Sequence, residues 1–183
     1  MAMKSVEGII LKKTPRREAD AVFTLYTKEQ GLMFFMAKGV RKQEAKLKAG
    51  LDVFNWVDLF YVPAKYIPIA TDFRIKDDFK IIKSDLFRLR LAHFAAGAVL
   101  KIFEPGAGEE KIWQKTFDFF SALNNRYASL ESLEESVYQW CYHILDLNGL
   151  NPRAPNFKPI NSANLKKRTD DLFLSHFGLT IDI

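Results

Sequence analysis

Residues 21–37 read AVFTLYTKEQGLMFFMA. Two short runs rich in β-branched and aromatic residues, 21–27 and 32–37, flank a turn signal that ends at Gly31. Such side chains favour the pleated, half-buried surface of a strand, and two such runs around a glycine-containing turn are typical of a β-hairpin. The stretch therefore predicts two antiparallel strands.

Further strands are predicted on both sides of this hairpin. Residues 6–11 form a short β-rich run, residues 53–61 alternate in polarity, and residues 67–75 follow a proline-containing break. Five strands within about 75 residues fit a small closed barrel that leaves no bare sheet edge. The OB-fold is the leading candidate, but an SH3-like barrel needs nearly the same strands. Curvature is permitted by Gly8, Gly31, Gly39 and Gly50.

From residue 84 the apolar residues recur at helical spacing. A Ser-Asp start at 84–85 and a Pro-Gly stop at 105–106 bound the first helix. A later helix is predicted to begin at Ser132, because Ser132 and Glu135 match a capping box. The helices after the first are predicted at 109–123, 132–147 and 164–176.

Together these patterns predict an α+β fold. A five-stranded OB-like β-barrel is expected in residues 1–80, and an all-α helical domain is expected in residues 81–183. The two parts also differ in charge, since residues 1–90 hold 18 Lys and Arg against 11 Asp and Glu, whereas residues 91–183 hold 9 against 11. Such an asymmetry favours an anionic partner for the first part and a protein partner for the second.

The strongest local signal is the connection KGVRKQEAKLK, residues 38–48, between two predicted strands. It carries five cationic side chains and one acidic side chain, and such clusters bind phosphates by releasing counterions. A solvated loop that is basic only for solubility is the alternative. We favour contact with nucleic acid, because other connections of the barrel add charge through Lys12 and Lys13. The candidate DNA-binding residues are Lys38, Arg41, Lys42, Lys46, Lys48, Arg16 and Arg17.

Aromatic residues interleaved with charge offer stacking platforms for single-stranded bases. Alternation places only half of them on the outer face of a strand, and most are expected in the core. No individual stacking residue is predicted. The set from which one would come is Phe34, Phe35, Phe54, Trp56, Phe60 and Tyr61.

Chemistry-bearing motifs are lacking in this sequence. The three histidines lie far apart, and there is no phosphate-binding glycine loop, nucleophile elbow or His-Glu-x-x-His motif. Cys141 is the only cysteine, which excludes an internal disulfide, and its aromatic neighbours predict a buried, inert thiol. We therefore expect a protein that is not an enzyme, with no catalytic residue, no cofactor and no metal.

The sequence also bears on location. No apolar run is long enough to cross a bilayer, and the N-terminus MAMKS lacks the apolar core of a signal peptide. A lone cysteine agrees with a reducing compartment. A cytoplasmic location without a membrane partner is expected.

Several short motifs follow one another in the order of a known family. They are VEGIIL at 6–11, READ at 17–20, LYT at 25–27 and AKGVR at 37–41. This order resembles the N-terminal domain of RecO, a family of bacterial recombination mediators that act in DNA repair. The later segment LNGLNP, residues 147–152, resembles the Gly-x-x-Pro segment that follows a long helix in the family.

The resemblance implies an OB-fold followed by a helical domain. It also implies a nucleoid-associated protein that binds single- and double-stranded DNA, anneals strands coated by single-strand-binding protein, and helps RecR to load RecA. Lys38 and Arg41 match the basic segment of the family, and Lys42, Lys46 and Lys48 follow by position in the same charge run. None of these roles needs a bond-breaking residue.

The resemblance further implies that the helical domain docks the acidic, hydrophobic-ended C-terminal tail of single-strand-binding protein. That tail would need an apolar groove with a cationic rim. Many relatives carry a four-cysteine zinc module, whereas residues 156–168 hold no cysteine, so a shortened, zinc-less C-terminal region is expected. The rim candidates on the helices are Arg88, Arg90, Lys101, Lys111, Lys115 and Arg126.

Overall fold

A computed structural model of the chain describes residues 2–41, 47, 50–150 and 162–181. Two compact units are found, one of Met1–Lys80 with Phe103–Trp113 and the other of Ile81–Ile102 with Gln114–Ile183. The strands are β1 Lys4–Arg16, β2 Asp20–Thr27, β3 Gly31–Ala37, β4 Trp56–Val62 and β5 Ile69–Asp77. The helices are α1 Lys80–Ser84, α2 Leu86–Ile102, α3 Glu110–Leu123, α4 Leu130–Leu147 and α5 Ser162–Leu172, and a π-helical turn, Phe173–Phe177, follows α5.

The five strands close into a barrel in the order β1-β2-β3-β5-β4, and β4 pairs with β1. Neighbouring strands are antiparallel except β3 and β5, which meet in parallel at Met36 and Ile69. This arrangement is that of an OB-like barrel. The predicted α+β fold, with an OB-like barrel followed by helices, is confirmed, and the SH3-like alternative is not the barrel that forms.

Strand β1 is longer than the predicted run 6–11, and it contains a β-bulge. The register with β2 shifts between Ile10 and Lys12, and pairing then continues until Arg16 lies opposite Asp20. A bulge adds one residue to one strand and increases its twist. The predicted connection at the end of β1 is therefore shorter than the sequence suggested, and Arg16 belongs to the strand.

Strand β4 begins at Trp56, three residues after the predicted start. The preceding Phe54 has φ +68, a conformation that interrupts a strand, and its backbone N–H donates to the Ile10 carbonyl at 2.7 Å. The Asn55 side-chain amide donates to the Gly50 carbonyl at 2.8 Å. These bonds fix the entry to β4 and leave the ring of Phe54 buried.

The predicted hairpin is present between β2 and β3. The Thr27 hydroxyl donates to the Gly31 carbonyl at 2.8 Å and accepts from the Gln30 N–H at 3.2 Å, which closes the turn. Gly31 has φ +64, and a Cβ there would lie 2.6 Å from the Ala107 carbonyl oxygen. Glycine is therefore required at this position by both backbone conformation and space.

The inner faces of the strands form the barrel core. It includes Ile10, Phe23, Leu25, Phe35 and Leu59, all fully buried. Burial of such side chains stabilises the fold by about 1.5–3 kcal/mol each. Residues 103–113, which belong to the same unit, cover one end of the outer surface of the barrel. There the ring centroids of Phe103 and Trp113 lie 6.1 and 5.8 Å from the ring centroid of Tyr26.

In the helical unit, the predicted start of the first long helix is confirmed in type and place. The Asp85 carboxylate accepts from the Arg88 N–H at 3.0 Å, as an N-cap does. The predicted start of α4 at Ser132 is wrong, because the N-cap is Ser129, whose hydroxyl accepts from the Ser132 N–H at 3.2 Å. Leu130 is then the first helical residue, and Ser132 lies inside the first turn.

The core of the helical unit is aromatic. The ring of Trp140 packs against Phe119 and Phe173, with centroids at 5.5 and 6.5 Å, and its indole N–H donates to the Thr116 hydroxyl at 3.2 Å. Cys141 is buried, and burial raises the pKa of its thiol well above the ordinary value. In the residues that the structure describes, no helix is long and apolar enough for a membrane span, and no group of three or more potential metal ligands is found.

Candidate nucleic-acid interface

Four of the predicted cations lie at one end of the barrel. Arg16 is the last residue of β1 and pairs with Asp20, and Arg17 follows it in the turn to β2. Lys38 directly follows β3, and Ala37, the last residue of β3, pairs with Ala21, which follows Asp20. Arg16, Asp20 and Lys38 therefore occupy neighbouring positions across three strands.

Hydrogen bonds hold the start of the basic connection against the β1–β2 turn. The Gly39 N–H donates to the Asp20 carboxylate at 2.8 Å, and Gly39 has φ +65, which favours glycine. The Arg41 N–H donates to the Ala19 carbonyl at 2.9 Å, and the Arg41 guanidinium donates to the Arg17 carbonyl at 3.2 Å. Two segments that are distant in sequence are thus joined, and Arg41 lies over the turn that carries Arg17.

We call Arg16, Arg17, Lys38 and Arg41 the basic end. All four residues are exposed. Within the described part of the chain, none of them forms an ion pair with a carboxylate within 4 Å. Asp20, at the same end of the barrel, already accepts a backbone hydrogen bond from the Gly39 N–H. The positive charge of the basic end is therefore available to an anion from solution.

The remaining predicted cations are not placed by the structure. Lys42, Lys46 and Lys48 lie outside the described residues, so their assignment to DNA stays a prediction. Arg16 was assigned to a connection and instead ends a strand, but this change brings it to the same barrel end as Lys38.

The outer face of β1–β3 continues from the basic end along the barrel. In register across the three strands, Lys12 lies opposite Thr24, and Thr24 lies opposite Phe34. Lys12 is exposed, Thr24 is buried, and Phe34 is 41% exposed. Along β3 the same face presents Phe34, Met36 and Lys38 in turn. An exposed aromatic ring therefore lies between cationic side chains on a single surface.

The β4–β5 connection meets this surface at the end of β3. The Met36 N–H donates to the Pro68 carbonyl at 2.8 Å. The connection carries Tyr66, whose side chain is 84% exposed, and the Lys65 ammonium lies 5.3 Å from the centroid of the Tyr66 ring. Sequence reasoning missed this pair, although a Lys-Tyr dipeptide bounded by Pro63 and Pro68 is a visible signal.

The six aromatic residues considered as stacking platforms differ in burial, as the alternation of side chains along a strand predicts. Phe35, Phe54 and Tyr61 are buried, and Trp56 and Phe60 are half-buried. Phe34 alone in that set is exposed enough to meet a ligand.

The outer face of β1, β4 and β5 differs, because its charges are paired. Glu7 and Asp58 lie opposite each other in register. The Lys76 ammonium lies 3.0 Å from the Glu7 carboxylate, and the Arg74 guanidinium donates to the Asp58 carboxylate at 3.0 Å. The Trp56 indole N–H also donates to Glu7 at 3.0 Å. We call this the paired face, and its cations are neutralised within the barrel.

On the helical unit, one of the predicted rim residues is not at the surface. Arg88 is buried, and its guanidinium donates to the carbonyls of Leu123, Asn125 and Ala128 at 2.6, 2.7 and 3.2 Å. These bonds satisfy the carbonyls at the end of α3 and in the following turn. Arg88 is therefore a structural residue, and its assignment to the rim is wrong.

A groove on the same unit does contain a predicted rim residue. It has a volume of about 380 Å³ and combines apolar side chains with the cationic Arg90. His93, next to Arg90 on the exposed side of α2, also lines it. The lining residues are Leu86, Leu89, Arg90, His93, Phe94 and Thr180.

Comparison with known proteins agrees with this geometry. Residues 1–71 match the family described as "Recombination protein O N terminal". Over 158 residues the chain is 29% identical to the DNA repair protein RecO of Synechococcus sp. (strain JA-2-3B'a(2-13)), covering 81% of this chain and 55% of that protein. It is 26% identical to the DNA repair protein RecO of Rubrobacter xylanophilus, covering 84% of this chain and 60% of that protein.

A third relative, the DNA repair protein RecO of Listeria monocytogenes, is 23% identical over 125 residues, which are 68% of this chain and 49% of that protein. The chain thus spans about half the length of these curated relatives. Residues 1–71 are therefore similar to the N-terminal domain of RecO, and the chain is similar to RecO proteins over most of its length.

Proposed function

We propose that this chain acts in DNA repair and recombination as a non-enzymatic, DNA-binding mediator. It would bind single- and double-stranded DNA, anneal strands coated by single-strand-binding protein, and assist the loading of RecA. The observation that supports the proposal is the basic end beside the exposed ring of Phe34 on the outer face of an OB-like barrel. OB-folds bind oligonucleotides across this face and the adjoining loops.

The chemistry suits annealing. Annealing requires cations that reduce the repulsion between two phosphate backbones without holding either strand too tightly. Exposed Lys and Arg side chains supply this charge, and their contacts with phosphates carry no sequence information. Arg16, Arg17, Lys38 and Arg41 meet this requirement, because no carboxylate among the described residues pairs with them.

Binding is tested by fluorescence anisotropy with a labelled single strand and with a labelled duplex over a range of salt concentrations. We expect log K to fall linearly with log salt for both, because each phosphate contact releases counterions. Absence of binding at low salt, or binding without this dependence, would show that the proposal is wrong.

The mediator role is tested separately from binding. We expect the full chain to accelerate the annealing of complementary strands coated by single-strand-binding protein. A generic basic domain would anneal bare strands but would leave the coated strands apart. RecR-dependent loading of RecA is then measured by adding both proteins to the same substrate.

We also propose that the groove around Arg90 docks the C-terminal tail of single-strand-binding protein. An acidic peptide that ends in hydrophobic residues matches both the apolar lining from Leu89 and Phe94 and the cation at the edge. A charged hydrogen bond between a guanidinium and a carboxylate has the fixed geometry that such an end requires.

Titration of a fluorescent tail peptide tests this second proposal. Arg90→Glu should abolish measurable binding, whereas Arg126→Glu, at an exposed site outside the groove, should leave it unchanged. Equal binding by both variants would remove the groove from the proposal.

A further inference from the structure

We propose that Tyr66 is the residue with which this protein distinguishes single-stranded from double-stranded DNA, by stacking its ring on an unpaired base. The inference rests on the proposed DNA-binding function. It assigns to one side chain a role that the cationic residues cannot supply, because phosphates are present in both kinds of DNA. The ligand group is a nucleobase whose flat face is not covered by a neighbouring base.

The placement of Tyr66 supports this role. Its connection is tied to the end of β3 by the bond between the Met36 N–H and the Pro68 carbonyl, and β5 starts at the next residue. Phe34 lies two residues before Met36 on the same outer face, about 7 Å away along the strand. The connection that carries Tyr66 therefore adjoins the part of β3 that leads from Phe34 to Lys38 at the basic end.

The exposure of Tyr66 and the position of Lys65 also fit a base. Tyr66 as a residue is 84% exposed, and the Lys65 ammonium lies over one face of its ring, 5.3 Å from the ring centroid. A base stacked on the ring would bury apolar surface, and the adjacent ammonium would meet the phosphate that follows it. The two neighbouring prolines, Pro63 and Pro68, restrict the backbone, so less entropy is lost on binding.

A duplex cannot use this contact, because the faces of its bases are already stacked. A base–aromatic stack contributes about 1–3 kcal/mol, which corresponds to a loss of about 5-fold or more in affinity when the ring is removed. The loss should appear only with single strands. The salt dependence should not change, because tyrosine carries no charge.

The test compares Tyr66→Ala and Tyr66→Phe in the full chain by anisotropy with a labelled single strand, the matching duplex, and the same strand built from abasic nucleotides. Tyr66→Ala should weaken binding to the single strand about 5-fold or more and leave binding to the duplex and the abasic strand unchanged. Tyr66→Phe should bind as the original chain does, since it keeps the ring. Tyr127→Ala is the matched control, because Tyr127 is 91% exposed and lies in the helical unit.

The outcomes separate the inference from the function on which it rests. If the unaltered chain binds DNA with normal salt dependence while Tyr66→Ala binds the single strand equally well, the inference is wrong and the proposed function stands. Equal losses for single strand, duplex and abasic strand would also overturn it, because they indicate a backbone contact. If the unaltered chain binds no DNA, both fail together.

Discussion

The basic end and the paired face of the barrel differ in how their charged side chains are arranged. At the basic end, the described residues show four cations without an ion-pair partner. On the paired face, Arg74 and Lys76 are held by the carboxylates of Asp58 and Glu7. If DNA binds the barrel by charge, we therefore expect it to meet the basic end, where the cations are both more numerous and not neutralised by carboxylates.

The largest effect is expected when cations are removed from the basic end. The variant Arg16→Ala, Lys38→Ala, Arg41→Ala should lower the magnitude of the slope of log K against log salt by about 2 for a single strand, since each phosphate contact contributes about 0.7. Relative to 1 M salt, a slope lowered by this amount corresponds to about 100-fold weaker binding near 0.1 M. Anisotropy titrations at several salt concentrations measure both quantities.

The matched control is the variant Arg74→Ala, Lys76→Ala on the paired face. It also removes cations from the barrel, but its salt slope should stay that of the original chain. Equal slopes for the two variants would show that the barrel attracts DNA through its overall charge. Thermal unfolding of both variants checks that the barrel remains folded.

The contrast between the faces also explains which parts of the site could be predicted from the sequence. The hairpin 21–37 follows from local alternation and a turn, and the connection from Lys38 to Arg41 is a local cluster of charge. Both signals lie within a short window. The ion pair between Lys76 and Glu7 joins β5 to β1, the last and first strands of the barrel in sequence. No local sequence pattern predicts it.

The wrong predictions for individual residues have a similar physical cause. Arg88 looks like a surface cation in the sequence, but it is buried because carbonyls from the turn after α3 surround it. Ser132 fits a capping box, yet Ser129 caps α4 three residues earlier. Tyr66 has no periodic pattern around it, and its connection is placed beside β3 by the bond from the Met36 N–H to the Pro68 carbonyl. Contacts between residues distant in sequence therefore determine the burial of Arg88 and the position of Tyr66, which local sequence patterns do not predict.

A second test, with a smaller expected effect, concerns Asp20. Its carboxylate lies at the basic end and accepts a hydrogen bond from the backbone N–H of Gly39. Asp20→Ala removes the acceptor of the Gly39 N–H and should lower the free energy of unfolding by about 1–2 kcal/mol. Asp20→Asn keeps a side-chain oxygen and should lose less. Urea denaturation followed by fluorescence measures both. Equal destabilisation by the two variants would mean that the charge of Asp20, and not its hydrogen bond, holds the connection.

The smallest effect is expected from the reverse change on the paired face. Glu7→Gln with Asp58→Asn keeps the shapes of both side chains and an oxygen for the Trp56 N–H, but removes the charges that neutralise Lys76 and Arg74. These ion pairs lie at the partly exposed surface of the barrel, with the Glu7 and Asp58 side chains 23% and 16% exposed, so the free energy of unfolding should fall by about 1 kcal/mol. Each freed cation that contacts a phosphate should steepen the salt slope for duplex DNA by about 0.9, which corresponds to about 8-fold tighter binding near 0.1 M salt relative to 1 M. An unchanged slope would mean that the position of the cations on the barrel, rather than their pairing, decides which face meets DNA.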